Sequence, residues 1–379
     1  MKALILSANI GGGHTSCAKA IQDVFISHNE QCDIQDVLTL ISKEVSKATS
    51  SGQIFIYRHA PWIINVGYKG REKKANNIFN KNSFLYKFLT LGIPKLYSLI
   101  KTNDYDTIIC THVFSALIVT EMQEKYKLPL LTCQIATDYD CSGNAKDTKI
   151  DYYFNPDEKL IEEFVDFGIP KEKIFASGIP VNKDFFQSLD KEKAKNSLGI
   201  PKESNHLLMM GGSMGSGPLP KVAHLLIKNL KDNNYLSVVC GSNKELYRNL
   251  SFSYGNNPNV HIYGMTKQMP LLMHSADLLL TKPGGLTTTE AYASHLPMVL
   301  FDFIGGYETD NANFFTGIGG AISGKDPELI VEQAISLLNN PSKLEEMTKA
   351  LAEASQNRDL PENFIYNFLK EEYSKRFIK

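Results

Sequence analysis

The stretch Thr281-Lys282-Pro283-Gly284-Gly285-Leu286-Thr287-Thr288-Thr289-Glu290-Ala291 follows the apolar run Asp277-Leu278-Leu279-Leu280 and precedes Glu308-Thr309-Asp310-Asn311-Ala312-Asn313-Phe314-Phe315. An apolar run ended by Pro-Gly-Gly and continued by helix-compatible residues reads as strand, tight turn, helix. Within the Pro283-Gly284-Gly285 turn the two glycines let a ligand approach the backbone closely. A helix starting near Leu286 presents unpaired amides and the positive end of its dipole, which suits a diphosphate. Thr287, Thr288 and Thr289 are expected to add hydroxyl donors. Glu290 falls on the first turn, where two roles fit: an acceptor for both ribose hydroxyls of a nucleotide sugar, or a plain partner for the helix dipole.

A second loop of the same kind opens the chain. Ala3-Leu4-Ile5-Leu6-Ser7-Ala8 reads as a buried strand, and Gly11-Gly12-Gly13-His14 follows it directly. A helix is expected from about Thr15, with Ala18, Ile21, Val24 and Phe25 on its sheet-facing side. That leaves Gly12, Gly13 and His14 at the carboxyl edge of the first strand, where open parallel sheets bind ligands. The spacing is neither the dinucleotide fingerprint nor a P-loop, which needs a Lys that this loop lacks. His14 reads either as a helix cap or as a general base with a near-neutral pKa.

Taken together these residues resemble the glycosyltransferases that make glycosyldiacylglycerols: the chloroplast-type monogalactosyldiacylglycerol synthases and the bacterial processive diacylglycerol glucosyltransferases, relatives of the peptidoglycan lipid N-acetylglucosaminyltransferase. The matching features run from Gly11-Gly12-Gly13-His14 through Ala136-Thr137-Asp138 and Gly178-Ile179-Pro180-Val181 to Lys282-Pro283-Gly284-Gly285, Thr289-Glu290-Ala291 and Glu308 to Phe315. The resemblance implies an α/β protein of the GT-B fold, two Rossmann-like α/β/α domains facing a central cleft. It also implies an inverting mechanism and a donor diphosphate held without metal, so no cofactor beyond the co-substrate. Residues 1–185 are then the acceptor- and membrane-binding domain, 186–355 the UDP-sugar-binding domain, and 356–379 a helix returning to the N-terminal domain. The expected partners are UDP-glucose or UDP-galactose and diacylglycerol. Relatives commonly carry Gln where this chain has Tyr307, which leaves the hexose open.

Composition agrees with this reading. The 379 residues suit two domains, each able to bury its own core. The formal net charge of −1 gives no global basic excess for nucleic acid. Cys17, Cys32, Cys110, Cys133, Cys141 and Cys240 are scattered without CxxC pairs, as in a protein of a reducing cytoplasm. No signal peptide or spanning run is apparent. The segment from Gln53 to Lys101 is the exception, with Trp62, Tyr68, Arg71, Lys73 and Lys74 among its interleaved aromatic and basic residues. Such side chains settle at headgroup level, each cation contributing about 1 kcal/mol near an anionic leaflet. The expected location is cytoplasmic and peripheral to the cell membrane, although ordinary core packing accounts for some of these rings.

Strands are expected near residues 2–8, 33–37, 106–110, 129–135, 151–154 and 173–177, then 206–211, 236–240, 259–263, 277–281 and 297–301. Gly211-Gly212-Ser213-Met214-Gly215-Ser216-Gly217 opens the second half as another glycine turn, with Gly211, Gly212, Ser213 and Gly215 expected at the donor phosphates. Asp138 is the carboxylate expected to orient His14, which removes the acceptor's proton. Asp138-Tyr139-Asp140 matches a DxD metal spacing only by coincidence on this reading. His112 either lines the acceptor path or is a satisfied loop histidine. Glu308, Asn311 and Asn313 open a helix and are expected at the hexose or the phosphates. A UDP-sugar epimerase of the same architecture, or a transferase with a polyprenyl-linked acceptor, is the alternative.

Overall fold

The computed structural model describes residues 1–8, 12–42, 44, 84–142, 145–231, 233–301, 306–356 and 359–378. Trp62, Tyr68, Arg71, Lys73, Lys74 and Gly11 lie outside the described residues. Two compact units emerge: Met1–Asn182 with Arg358–Lys379, and Lys183–Asn357.

The first unit carries a six-stranded parallel sheet of β1 (Ala3–Ser7), β2 (Cys32–Asp36), β3 (Thr107–Cys110), β4 (Leu131–Ile135), β5 (Tyr152–Asn155) and β6 (Ile174–Ala176), in the order β2-β1-β3-β4-β5-β6. All five residues of β1 and all four of β3 are buried, because helices cover both faces of a parallel sheet. Helix α1 (Gly13–Ser27) follows β1, and α2 (Val113–Tyr126) follows β3. The strand order reverses between β1 and β3, so the loops leading into α1 and α2 diverge there and open a crevice at the carboxyl edge.

The second unit carries β7 (Asn205–Met210), β8 (Asn234–Val239), β9 (Val260–Tyr263), β10 (Leu278–Thr281), β11 (Met298–Leu300) and β12 (Ala321–Ser323), in the order β12-β11-β10-β7-β8-β9. Read from β9, this is the dinucleotide-fold order, with its reversal between β7 and β10. The Gly211–Gly217 loop leaves β7 and the Pro283-Gly284-Gly285 turn leaves β10. These two glycine turns therefore flank the point where such sheets bind nucleotides. Helix α3 (Gly285–Ala293) follows β10, and α4 (Tyr307–Gly317) follows β11.

The last helix, α5 (Pro361–Phe377), belongs to the first unit. Tyr366 meets Phe25 edge-on at 5.1 Å, and Phe368 lies 4.3 Å from Phe175 between ring centroids. Polar contacts then fix its register: Tyr373 donates to Asp106 at 3.0 Å and the Arg376 guanidinium to the Leu130 carbonyl at 2.6 Å. Gly178, at φ +82°, makes room for the helix start, since a Cβ there would stand 2.9 Å from Pro361 Cγ. Among the described residues no helix is long and apolar enough to cross a membrane.

Candidate functional site

At the first switch point α1 begins at Gly13, two residues before the expected start, and its N-cap Gly12 supplies no side-chain cap. His14 does not cap it. Its Nδ1 lies 2.8 Å from the Thr111 carbonyl and 3.1 Å from the Thr137 hydroxyl. A carbonyl only accepts, so the imidazole carries its hydrogen on Nδ1 and leaves a lone pair on Nε2, the form a general base needs. Burial holds the His14 pKa below its ordinary value, opposed only in part by the Thr111 bond, so the ring is neutral at neutral pH. Asp138 sits half-buried just beyond β4, and a carbonyl and a hydroxyl lie against the imidazole Nδ1. A backbone carbonyl at the end of the neighbouring strand orients the ring, and no sequence signal marks it.

His112 is the N-cap of α2, its Nδ1 accepting the Phe114 amide at 3.0 Å. It is more than a satisfied loop residue, because its ring meets His14 edge-on, with centroids 4.7 Å apart and planes at 84°. Burial and the neighbouring imidazole both push its pKa well below the ordinary value.

At the second switch point the Gly284 N-cap offers no side chain to α3, so the first-turn amides of Gly285, Leu286 and Thr287 have no cap. A Cβ on Gly284 would meet nothing within 4 Å, which leaves the backbone open to a ligand. The same holds for Gly212. Gly211 and Gly215 instead serve the loop itself. A Cβ on Gly211 would stand 2.1 Å from the Ser216 carbonyl oxygen, and one on Gly215 2.0 Å from that of Cys240. These glycines close the loop and clamp it to the turn after β8, where Ser242 N–H donates to the Ser213 carbonyl at 2.9 Å and Asn243 Nδ2 to that of Gly215 at 3.0 Å.

The threonines also differ from expectation. Thr288 and Thr289 are buried and their hydroxyls donate to the Gly285 carbonyl at 3.1 and 2.6 Å, inside their own helix. Only Thr287 remains half-buried at the helix start. Burial pushes the Glu290 carboxyl up to about 8 while its side chain keeps some contact with solvent.

Glu308 and Asn311 lie on the first turns of α4, where the sequence places them, and each contacts the turn after β10. Glu308 Oε1 is 2.9 Å from Lys282 Nζ, and Asn311 Nδ2 donates to the Pro283 carbonyl at 2.9 Å. Both are buried. They fix the turn that precedes α3. Lys282, which the sequence reading quotes only as part of the glycine-turn motif, is buried in an ion pair that the sequence does not announce. Among the described residues no group of three or more His, Cys, Asp and Glu side chains is placed to hold a metal ion.

Comparison with known proteins agrees with these two halves. The family described as monogalactosyldiacylglycerol (MGDG) synthase matches residues 14–181, and glycosyl transferases group 1 matches residues 190–358. The fold is shared with solved structures at low identity. MurG of Acinetobacter baumannii superposes with a TM-score of 0.63 at 14% identity, covering 98% of this chain and 100% of that one. UDP-GlcNAc 2-epimerase of Neisseria meningitidis, solved with UDP-GlcNAc, gives 0.62 at 17%, with the same coverages of 98% and 100%. Fold and family matches together define the class, a glycosyltransferase of GT-B architecture. Sequence narrows it further: the processive diacylglycerol β-glucosyltransferase of Bacillus pumilus is 30% identical over 349 residues, 91% of this chain and 89% of that protein. The chain belongs to the family of the processive diacylglycerol β-glucosyltransferases.

Proposed function

We propose that the protein transfers a hexose from UDP-glucose or UDP-galactose to the hydroxyl of diacylglycerol, with inversion, giving a β-glycosyldiacylglycerol. The names of the relatives favour glucose. The observation that carries the reading is the bond from His14 Nδ1–H to the Thr111 carbonyl, which leaves Nε2 to accept a proton. His14 takes the acceptor's proton as its oxygen attacks the anomeric carbon, and uridine diphosphate leaves. The α3 amides and the exposed backbone at Gly284 and Gly212 meet the charge that develops on the leaving phosphate, the strongest kind of help a fixed set of donors gives. Glu290, ionised, accepts the ribose hydroxyls. No metal is required, because helix amides replace it. The basic and aromatic segment from Gln53 to Lys101 brings the enzyme to an anionic membrane surface, where the acceptor resides.

The test is transfer from each UDP-hexose to diacylglycerol in anionic mixed micelles with EDTA, the product's anomeric proton read by NMR. A large axial coupling marks the β product and the faster donor names the sugar. An α product, or activity that EDTA abolishes, contradicts the proposal.

A further inference from the structure

The two imidazoles at the first switch point are held in opposite tautomers. Thr111 offers His14 an acceptor, so the His14 hydrogen lies on Nδ1 and Nε2 keeps its lone pair. Phe114 offers His112 a donor, so the His112 hydrogen lies on Nε2. Neither Nε2 bonds a described residue, and both rings are half-buried. With centroids 4.7 Å apart, the pair presents one acceptor and one donor to whatever binds beside it. Both rings stay neutral near pH 7, since burial opposes protonation of each and a charge on one opposes a charge on the other.

A ligand that complements this couple carries a hydroxyl and an ester carbonyl oxygen a few bonds apart. Diacylglycerol does, with its free primary hydroxyl one carbon away from an ester. We propose that His112 is a specificity-determining residue whose Nε2–H donates to the acceptor lipid's ester carbonyl, while His14 Nε2 faces the hydroxyl. The inference rests on the transferase reading above and extends it to the acceptor. A neutral hydrogen bond of this kind is worth about a tenfold preference for an ester lipid over an ether lipid, whose oxygen is a poor acceptor.

The variant must spare the helix cap, because His112→Ala removes the acceptor for the Phe114 amide. His112→Asn keeps it, as Asn is a favoured N-cap, and removes the Nε2 donor. The experiment compares kcat/KM of the full chain for a 1,2-diacylglycerol and its 1,2-dialkyl ether counterpart in the same micelles. Wild type is expected to prefer the ester about tenfold, and His112→Asn to treat the two nearly alike. A merely structural role lowers both rates together and leaves their ratio untouched. An unchanged ratio in the variant, or no preference in wild type, overturns the inference. If wild type glycosylates neither lipid, the transferase reading fails first and this inference falls with it. An independent readout needs no turnover: nitrogen NMR of the ligand-free protein should place the hydrogen on Nε2 of His112 and on Nδ1 of His14, and the reverse assignment for His112 also overturns it.

Discussion

Lys282 Nζ lies 2.9 Å from Glu308 Oε1, with 7% and 4% of the two side chains exposed, so a fully formed ion pair is shut inside the second unit where β10 hands over to α3. Asn311, one turn further along α4, bonds the Pro283 carbonyl. Between them these contacts set the angle at which the α3 amides emerge. Removing one member of a buried pair strands the other charge, which typically costs about 3–5 kcal/mol. Glu308→Gln and Lys282→Met should each lower the urea midpoint of the second unit on that scale. The double variant Lys282→Met with Glu308→Leu should recover much of the loss. Equal and additive losses would mean that the two charges are not coupled.

The glycines separate into two kinds that a substitution series can distinguish. Gly215 sits at φ +57° against the Cys240 carbonyl, so Gly215→Ala should cost about 1–3 kcal/mol of stability. Gly284 has φ −75° and open space at its Cβ, so Gly284→Ala should change stability by less than about 0.5 kcal/mol while weakening UDP binding. Calorimetric titration with UDP, beside thermal melts, checks both.

Glu290 gives a pH signature. Its carboxyl, raised to about 8, is protonated in the ligand-free protein at pH 7, whereas accepting two ribose hydroxyls requires the ionised form. UDP binding should therefore release a proton below pH 8, and affinity should rise with pH and level off above it. The same shift makes ligand-free stability fall as pH climbs from the ordinary glutamate range towards 8, because the unfolded chain ionises first. Titrations in buffers of different ionisation enthalpy measure the proton. Glu290→Gln should abolish the release, and a release that persists in the variant assigns it elsewhere.

His14 works in the opposite sense. Its pKa is lowered, so the base form survives below the ordinary histidine range, and activity should fall only as pH drops through a value under 6.5. The acid limb of kcat at saturating UDP-hexose, where the bound donor keeps Glu290 ionised, reports the His14 value. An acid limb above 6.5 would contradict a buried neutral imidazole.

Much of this architecture is legible in the sequence because parallel strands buried on both faces leave unbroken apolar runs such as Leu278-Leu279-Leu280. The strand Ala321–Ser323 escapes notice: it has three residues, stands at the sheet edge and alternates too briefly to register. The glycine turns and His14 announce themselves, but their division of labour does not. Gly211 and Gly215 answer to carbonyls brought near by folding, and composition alone cannot separate them from Gly212 and Gly284. The partner of His14 is hidden for a similar reason. Every residue has a carbonyl, so Thr111 carries no mark. Glu308 and Asn311 announce themselves by opening a helix near the turn, and only the fold shows their contacts with Lys282 and the Pro283 carbonyl.

The role of His14 is tested most directly by comparing wild type with His14→Ala in glycolipid formation from UDP-glucose and diacylglycerol with EDTA present, UDP affinity being measured alongside. If His14 is the base, wild type turns over and the variant loses about 10²–10⁴-fold in rate at unchanged UDP affinity. Comparable turnover by the two proteins would contradict that role.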